Sequence, residues 1–265
     1  MNKKSRIGLI GFGYIGSYVY DQIINHPELG LEIAFVYDTD QDKVAPLPLA
    51  IKLRDLSDYA KTHPDLVVEM AHPSVTASWG EKILSKTDYM PLSVTAFADQ
   101  ALYDRLISTA QKNGTCIYIP HGALVGLDSV FECRDSWEEI RVTMKKNPKN
   151  LDFSCTSGIK PGDIKEPTVL YDGPTRGICH MFPRNVNAHA ALAIGGIGFD
   201  KTRSILIADP RLDVSIIEIE AHGEGVDMKI QRSNRLKGVS GVFTLTSTMS
   251  AILRAKGAKG TLQLC

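Results

Sequence analysis

Gly11, Gly13 and Gly16 stand in the spacing GxGxxG within "RIGLIGFGYIGSYVYDQIIN", directly after an apolar run and at the start of a helical pattern carried by Ile15, Val19 and Ile23. The chemistry this suits is phosphate binding. The first glycine permits a tight turn, the second lets backbone approach a pyrophosphate, and the third lets helix and strand pack closely. The helix N-terminus adds free N–H groups and a partial positive charge. Tyr14 and Ile15, in the same loop, are further candidate contacts. Asp38 ends the apolar run "LEIAFVYD" about 22 residues beyond Gly16, where a ribose-binding carboxylate is expected. An Asp there accepts from a 2′-hydroxyl and repels a 2′-phosphate, so NAD is favoured and NADP is the second choice. The alternative for Asp38 is a turn residue.

A second constellation lies in "RLDVSIIEIEAHG", residues 211–223. Its period of two reads as a strand. Ser215, Ile217, Ile219 and Ala221 share one face, and Val214, Ile216, Glu218, Glu220 and His222 share the other. Two carboxylates and an imidazole in a row can move protons. Charges also line the wet side of most sheets, and that is the expectation here. No pair of histidines or cysteines has ligand spacing, so no metal site is expected.

The elements that must position these groups follow from hydrophobic periodicity. After the glycine loop come a strand "DLVVEMA" (65–71), a helix over 75–85, a strand "YMPLSVTA" (89–96), a helix over 99–112 and a fifth strand "CIYIP" (116–120). This βαβ rhythm implies an α/β fold with a doubly wound parallel sheet of the Rossmann type, whose ligands bind beyond the carboxyl ends of the strands. The loops that matter are then "AHPSV" with His72, "TAFAD" with Ala96, and "PHGALVGLD" with His121 and Ala123. From residue 137 the pattern shifts to alternating strands, "WEEIRVTMKK", "TVLYDG", "TRSILIAD", residues 211–223 and "VDMKIQRS", with a helix near "FPRNVNAHAALAIGG". Strands gathered in sequence argue for a mostly antiparallel sheet in an α+β domain. The expected division is 1–124 for dinucleotide binding, completed by a helix over 242–265, and 125–241 for substrate binding and dimerisation.

Thirty basic residues balance thirty acidic ones in 265. Zero net charge removes the global basic field that nucleic-acid binding needs, so a small-molecule substrate is the expected partner. The five cysteines, an odd number with no CxxC pair, fit reduced thiols in a cytoplasmic protein. No apolar stretch reaches about 18 residues, and no membrane partner is expected.

Taken together and in order, "VVEMAHP", "SVTAFAD", "PHGALVGLD", "TVLYDGPTRGICHMFPRNVN", "GFD" and "ILIADP" resemble the L-aspartate dehydrogenase family, most nearly its animal-type branch. The resemblance runs from the glycine loop to the terminal "LQLC". It implies oxidation of L-aspartate by a nicotinamide cofactor, a homodimer built on the second domain's open sheet, and cofactor contacts at Ala123 and at Asn185 or Asn187. It also implies a histidine on the strand after "ADP", six residues before a glycine. Counting back from Gly223 reaches Ile217, and the animal branch's position, two residues earlier, is Ser215. Neither side chain transfers a proton as an imidazole does. His222 lies an odd separation from Ile217 and points to the opposite face unless a bulge turns it.

Proton transfer then falls to His121, in the loop after the fifth strand, or to His189, four residues after Asn185 and on its face if a helix has begun there. His72 is expected to border the nicotinamide. Arg184 is the candidate fork for a substrate carboxylate, with Arg176 and Lys160 as weaker ones. Three readings stay open: an aspartate dehydrogenase, a related imine or amino-acid oxidoreductase, and an NAD-binding sensor or partner subunit without catalysis.

Overall fold

The computed structural model describes residues 3–237 and 240–257. The chain forms two compact units. One gathers the residues up to Ser93, Ala101–Pro120 and the chain from Leu245; the other gathers Val94–Gln100 and His121–Thr244.

The first unit is built on four parallel strands, β1 (Ser5–Ile10), β2 (Leu31–Tyr37), β3 (Leu66–Glu69) and β4 (Asp88–Pro91), in the order β2-β1-β3-β4. Between them run α1 (Tyr14–Asn25), the short α2 (Gln41–Val44) and α3 (Pro73–Leu84), with α4 (Gln100–Asn113) after β4. β3 is buried along its whole length, as a parallel strand covered on both faces must be. Ile7 and Leu9 of β1, Val19 and Ile23 of α1, and Leu66 and Val68 of β3 form one core. Met249, Ala251 and Ile252 of the late helix α8 (Val242–Lys256) join it. Any part of the helix expected over 242–265 that would lie beyond residue 257, together with "LQLC", falls outside the described residues.

Two expectations are corrected in this unit. The fifth strand is only an isolated bridge between Ile117 and Tyr89, held by Tyr89 N–H to Cys116 O and Tyr118 N–H to Tyr89 O. The strand expected to reach residue 96 stops at Pro91, because the Leu92 and Ser93 N–H groups turn back to the backbone carbonyl and carboxylate of Glu69. Val94–Ala98 is a short 3-10 helix instead.

The second unit carries a six-stranded sheet in the order β10-β9-β8-β5-β7-β6. Its strands are β5 (Trp137–Lys146), β6 (Thr168–Pro174), β7 (Arg203–Ala208), β8 (Val214–Gly223), β9 (Val226–Lys237) and β10 (Ser240–Gly241). Only β5 and β7 pair in parallel; every other pairing is antiparallel. Alternation sets the inner face: Ile140, Val142, Met144 and Lys146 of β5, Ser204, Leu206 and Ala208 of β7, and Ser215, Ile217, Ile219 and Ala221 of β8 are all buried. Three helices complete the unit, α5 (Leu127–Glu132), α6 (Thr175–Met181) and α7 (Asn187–Gly195). Seven of the nine α7 residues are buried, the pattern of a helix enclosed on nearly all sides. No helix among the described residues is long and apolar enough to cross a membrane.

Candidate functional site

The glycine loop links β1 to α1. Gly11 takes φ +95°, and a Cβ there would meet the Met70 carbonyl oxygen at 2.7 Å. A Cβ on Gly16 would lie 2.1 Å from the Gly11 carbonyl oxygen, so that glycine is required by the helix-on-loop contact. Gly13 differs: it caps α1, and nothing lies within 4 Å of where its Cβ would stand. That open side fits a phosphate group approaching the backbone, and the first turn of α1, which holds Tyr14 and Ile15, has no acidic residue to repel one.

Asp38 is buried at the end of β2. Its Oδ2 accepts from Phe12 N–H at 2.7 Å and its Oδ1 from Asp40 N–H at 2.9 Å, with Lys43 Nζ 3.5 Å away. The carboxylate therefore pins the glycine loop to β2, and each oxygen keeps a lone pair for a ribose hydroxyl.

Glu69, which sequence reasoning missed, is fully buried at the carboxyl end of β3. It accepts from Ala71 N–H at 2.7 Å, Ser93 Oγ at 3.0 Å and Ser93 N–H at 3.1 Å. Burial outweighs those bonds and pushes its carboxyl up to about 7. The residue ties together the loops that follow β3 and β4. His72, in the first of these, is exposed and caps α3, its Nδ1 accepting from Ser74 N–H at 3.2 Å.

In the second unit Thr95 joins two candidate segments: its N–H donates to Asn187 Oδ1 at 3.2 Å and its hydroxyl to Pro183 O at 2.8 Å. Ala96, next to Thr95, and Asn187, the first residue of α7, thus sit together. Asn185 is buried and engaged on both ends of its amide, accepting from Asp152 N–H at 2.8 Å and donating to Asn150 O at 3.2 Å. Helix α7 begins at Asn187, so the expected helical face shared by Asn185 and His189 does not form. Ala123 and His121 lie in a turn closed by Leu124 N–H to His121 O at 2.9 Å.

Arg184 is half-exposed, and its Nη1 donates to Asp152 Oδ2 at 3.0 Å, an ion pair at one nitrogen of the guanidinium expected to hold substrate. Arg176 is likewise engaged, by Asp200 and by the Ala98 carbonyl. Lys160 lies exposed beside the short 3-10 helix Pro161–Asp163.

His189 is fully buried with Nδ1 2.9 Å from Ser204 Oγ, and its Nε2 has no partner among the described residues. Burial, then the nearby Lys146 charge, lowers its pKa to about 3, so the ring is neutral. Lys146 itself is buried, and its ammonium is pushed down to about 8 by burial and by the Arg232 guanidinium. Its signal was readable: it shares parity with Ile140, Val142 and Met144.

On β8, Glu220 is held by Arg141 and Lys229 and Glu218 by Lys145, while His222 is exposed with Nδ1 2.8 Å from Asp227 Oδ1. The β8–β9 register runs without a shift through His222, and the ring stays on the outer face. Among the described residues no three His, Cys, Asp or Glu side chains could hold a metal, and Cys116, Cys133, Cys155 and Cys179 are unpaired.

The domain described as "Aspartate dehydrogenase, C-terminal" matches residues 131–255, and "Homoserine dehydrogenase, NAD binding domain" matches residues 11–120. An aspartate dehydrogenase domain-containing protein of Xenopus tropicalis is 34% identical over 99% of both chains. The chain belongs to the aspartate dehydrogenase family. An L-aspartate dehydrogenase of Methanococcoides burtonii is 35% identical, covering 83% of this chain and 84% of its own. Aspartate dehydrogenase from Thermotoga maritima shares the fold, with a TM-score of 0.69 at 24% identity over 95% of this chain and 94% of its own. In this family member the first unit is an NAD-binding domain, and the cofactor is NAD or NADP. Ser215 and Ile217, where the resemblance places a histidine, are both buried on the sheet's inner face.

Proposed function

We propose that the chain is an NAD(P)-dependent L-aspartate dehydrogenase. The observation that supports this most is the match to relatives named L-aspartate dehydrogenase over more than four fifths of the chain. The reaction takes a hydride from Cα and a proton from the amine of L-aspartate, giving iminosuccinate, which is passed on or hydrolysed by water to oxaloacetate and ammonia. A bound nicotinamide would accept the hydride. The chain's own part is to cradle the phosphates at Gly11, Gly13 and Gly16, to meet the adenosine ribose at Asp38, and to steady the loops bearing His72 and Ala96. Ala123, Asn185 and Asn187 are proposed as further cofactor contacts. NAD is the preferred form, because Asp38 meets a 2′-phosphate with like charge. His121 is the proposed proton acceptor, because burial and the Lys146 charge hold His189 at about 3, too weak a base to keep a proton near pH 7.

The test is NADH formation from purified chain with a panel of amino acids. Production with L-aspartate alone supports the assignment, and production with another amino acid moves the substrate. NAD binding without NADH formation from any of them favours the sensor reading, to which the missing imidazole at Ser215 and Ile217 lends support.

A homodimer through the outer face of the second unit's sheet belongs to the same proposal. That face carries the partly exposed Ile205, Ile207 and Ile216, and sedimentation showing a monomer at micromolar concentration would remove it. The unpaired cysteines agree with a reducing cytoplasm.

A further inference from the structure

Glu69 closes β3 next to the glycine loop. It stands opposite Ile10, the last residue of β1, and opposite Pro91, the last of β4. The Met70 N–H donates to Ile10 O at 2.8 Å, and the Leu92 N–H returns to Glu69 O at 2.8 Å. Gly11 rests on the peptide that follows: a Cβ there would meet Met70 O at 2.7 Å and the Ala71 methyl at 3.1 Å. The N–H of that same Met70–Ala71 peptide donates to Glu69 Oε1 at 2.7 Å. Because a peptide is planar, the carboxylate fixes the surface against which the dinucleotide loop packs. Ser93 is held at the same point, its N–H 3.1 Å from Oε2 and its hydroxyl 3.0 Å from Oε1.

Ionised, the carboxylate accepts every one of these bonds, and the His72 N–H adds a weaker pull. Protonated, it carries an O–H that needs an acceptor. Backbone N–H groups only donate, so the Ser93 hydroxyl alone can turn to accept, and it then gives up its own bond to Oε1. The bonds that remain are to a neutral acid, about half as strong as those to a carboxylate. The forces that set the proton are burial, against the bonds from Ala71, Ser93 and His72. Around Glu69, β4 brings Tyr89, whose hydroxyl lies 2.9 Å from Thr76 Oγ1 of α3; burial, then the Glu69 charge, raises this phenol well above its ordinary value of 10, so it stays neutral. His72 is exposed and turned to Ser74. Asp38 ends β2, on the far side of β1, and the first turn of α1 brings the Tyr14 phenol and no acid.

We propose that Glu69 is the positioning residue of the dinucleotide site: its ionised carboxylate holds the Met70–Ala71 peptide and the Ser93 loop in the form that binds the cofactor, and its protonated form binds weakly. The inference rests on the cofactor half of the proposed function and not on its substrate. Folding and binding then pull one proton in opposite directions. Burial in the free chain favours the acid, with the carboxyl up at about 7, and binding expels the proton. Affinity for the dinucleotide accordingly rises with pH across the neutral range. Phosphate charge acts the other way by repelling the carboxylate, but that charge is met first at Gly13, where the head of α1 offers N–H groups.

The experiment titrates NADH into the full chain by calorimetry from about pH 6 to about pH 8. Affinity should rise about tenfold over that range, as the ionised fraction does for a group at about 7. At about pH 7 roughly half a proton should be released per NADH bound, read from buffers of different ionisation enthalpy. Glu69→Gln carries no charge and turns an amide nitrogen toward one of its donors. It should bind throughout the range at the weak affinity of the native chain in acid, and release no proton. Ser93→Ala removes the hydroxyl bond that favours the ionised form, and should move the midpoint to higher pH while leaving the alkaline affinity within about threefold. On the native chain below the midpoint, the infrared C=O band of a buried carboxylic acid should fade when NADH is added. Affinity that stays level or falls with rising pH, or native and Glu69→Gln profiles that run parallel, overturns the positioning role, as does an acid band that NADH leaves unchanged. The expected profile without NADH formation from any amino acid leaves Glu69 in its role and removes the dehydrogenase. Turnover of L-aspartate with parallel profiles does the reverse.

Discussion

Replacing Glu69 with glutamine should remove one segment of the pH dependence of stability. In the folded chain this carboxyl is pushed up to about 7, against an ordinary value of 4.5, because burial outweighs its bonds from Ala71 and Ser93. Between those values the folded state holds a proton that the unfolded chain releases. The stability this confers is complete below about pH 4.5 and is lost as pH rises through about 7. The rise from 4.5 to about 7 converts at about 1.4 kcal/mol per pH unit to about 3–4 kcal/mol. His189 acts in the opposite sense: its pKa is lowered from 6.5 to about 3, so its contribution is present above 6.5 and is lost as pH falls toward 3. Subtracting the Glu69→Gln profile from that of the native chain cancels the histidine and isolates the carboxyl. Glutamine still accepts at one oxygen but presents an amide nitrogen toward Ser93, a cost that does not vary with pH. Urea unfolding followed by Trp79 fluorescence in a Trp137→Phe background reads the first unit. Profiles that stay parallel from about pH 5 to about pH 9 would refute the reasoning.

Gly13 and Gly16 should separate binding from folding. Gly13→Ala should leave the melting temperature unchanged and weaken NAD at least about tenfold, whereas Gly16→Ala should cost about 1–3 kcal/mol of stability, since its Cβ would meet the Gly11 carbonyl at 2.1 Å. Asp38→Ser removes the like charge facing a 2′-phosphate and leaves Lys43 paired with Asp40 alone, and should raise the affinity for NADPH relative to NADH about tenfold by calorimetry. Arg184→Ala should change KM for L-aspartate by less than about threefold, because the half-exposed guanidinium is paired with Asp152; a tenfold rise would return Arg184 to the substrate.

The alternation of residues 211–223 places each side chain on its sheet face, and that of "IRVTMKK" carries Lys146 inward in the same way, although the ladder slips between Trp137 and Glu139 and buries Trp137 against the period. The glycine spacing was equally direct, since it encodes steric needs local to one turn. What escaped were interactions made at long range. Nothing near Glu69 in sequence announces that Ser93 will meet it, and nothing near His189 announces Ser204. The partner of Arg184 was hidden for the same reason: nothing beside it in sequence announces Asp152, 32 residues earlier. The fifth strand failed because an apolar run of five residues ending in proline can bridge at one position without extending a ladder.

Helix α8 has a consequence for how the chain matures on the ribosome. Met249, Ala251 and Ile252 belong to the same core as Ile7, Leu9 and Val19, yet all of residues 121–244 are synthesised between the two contributions. The nascent dinucleotide unit must wait with an unfinished apolar face while the second unit emerges whole and can fold first. A chain ended before residue 245 and released from the ribosome should therefore hold a structured second unit beside a protease-sensitive first one, and restoring α8 should protect the first.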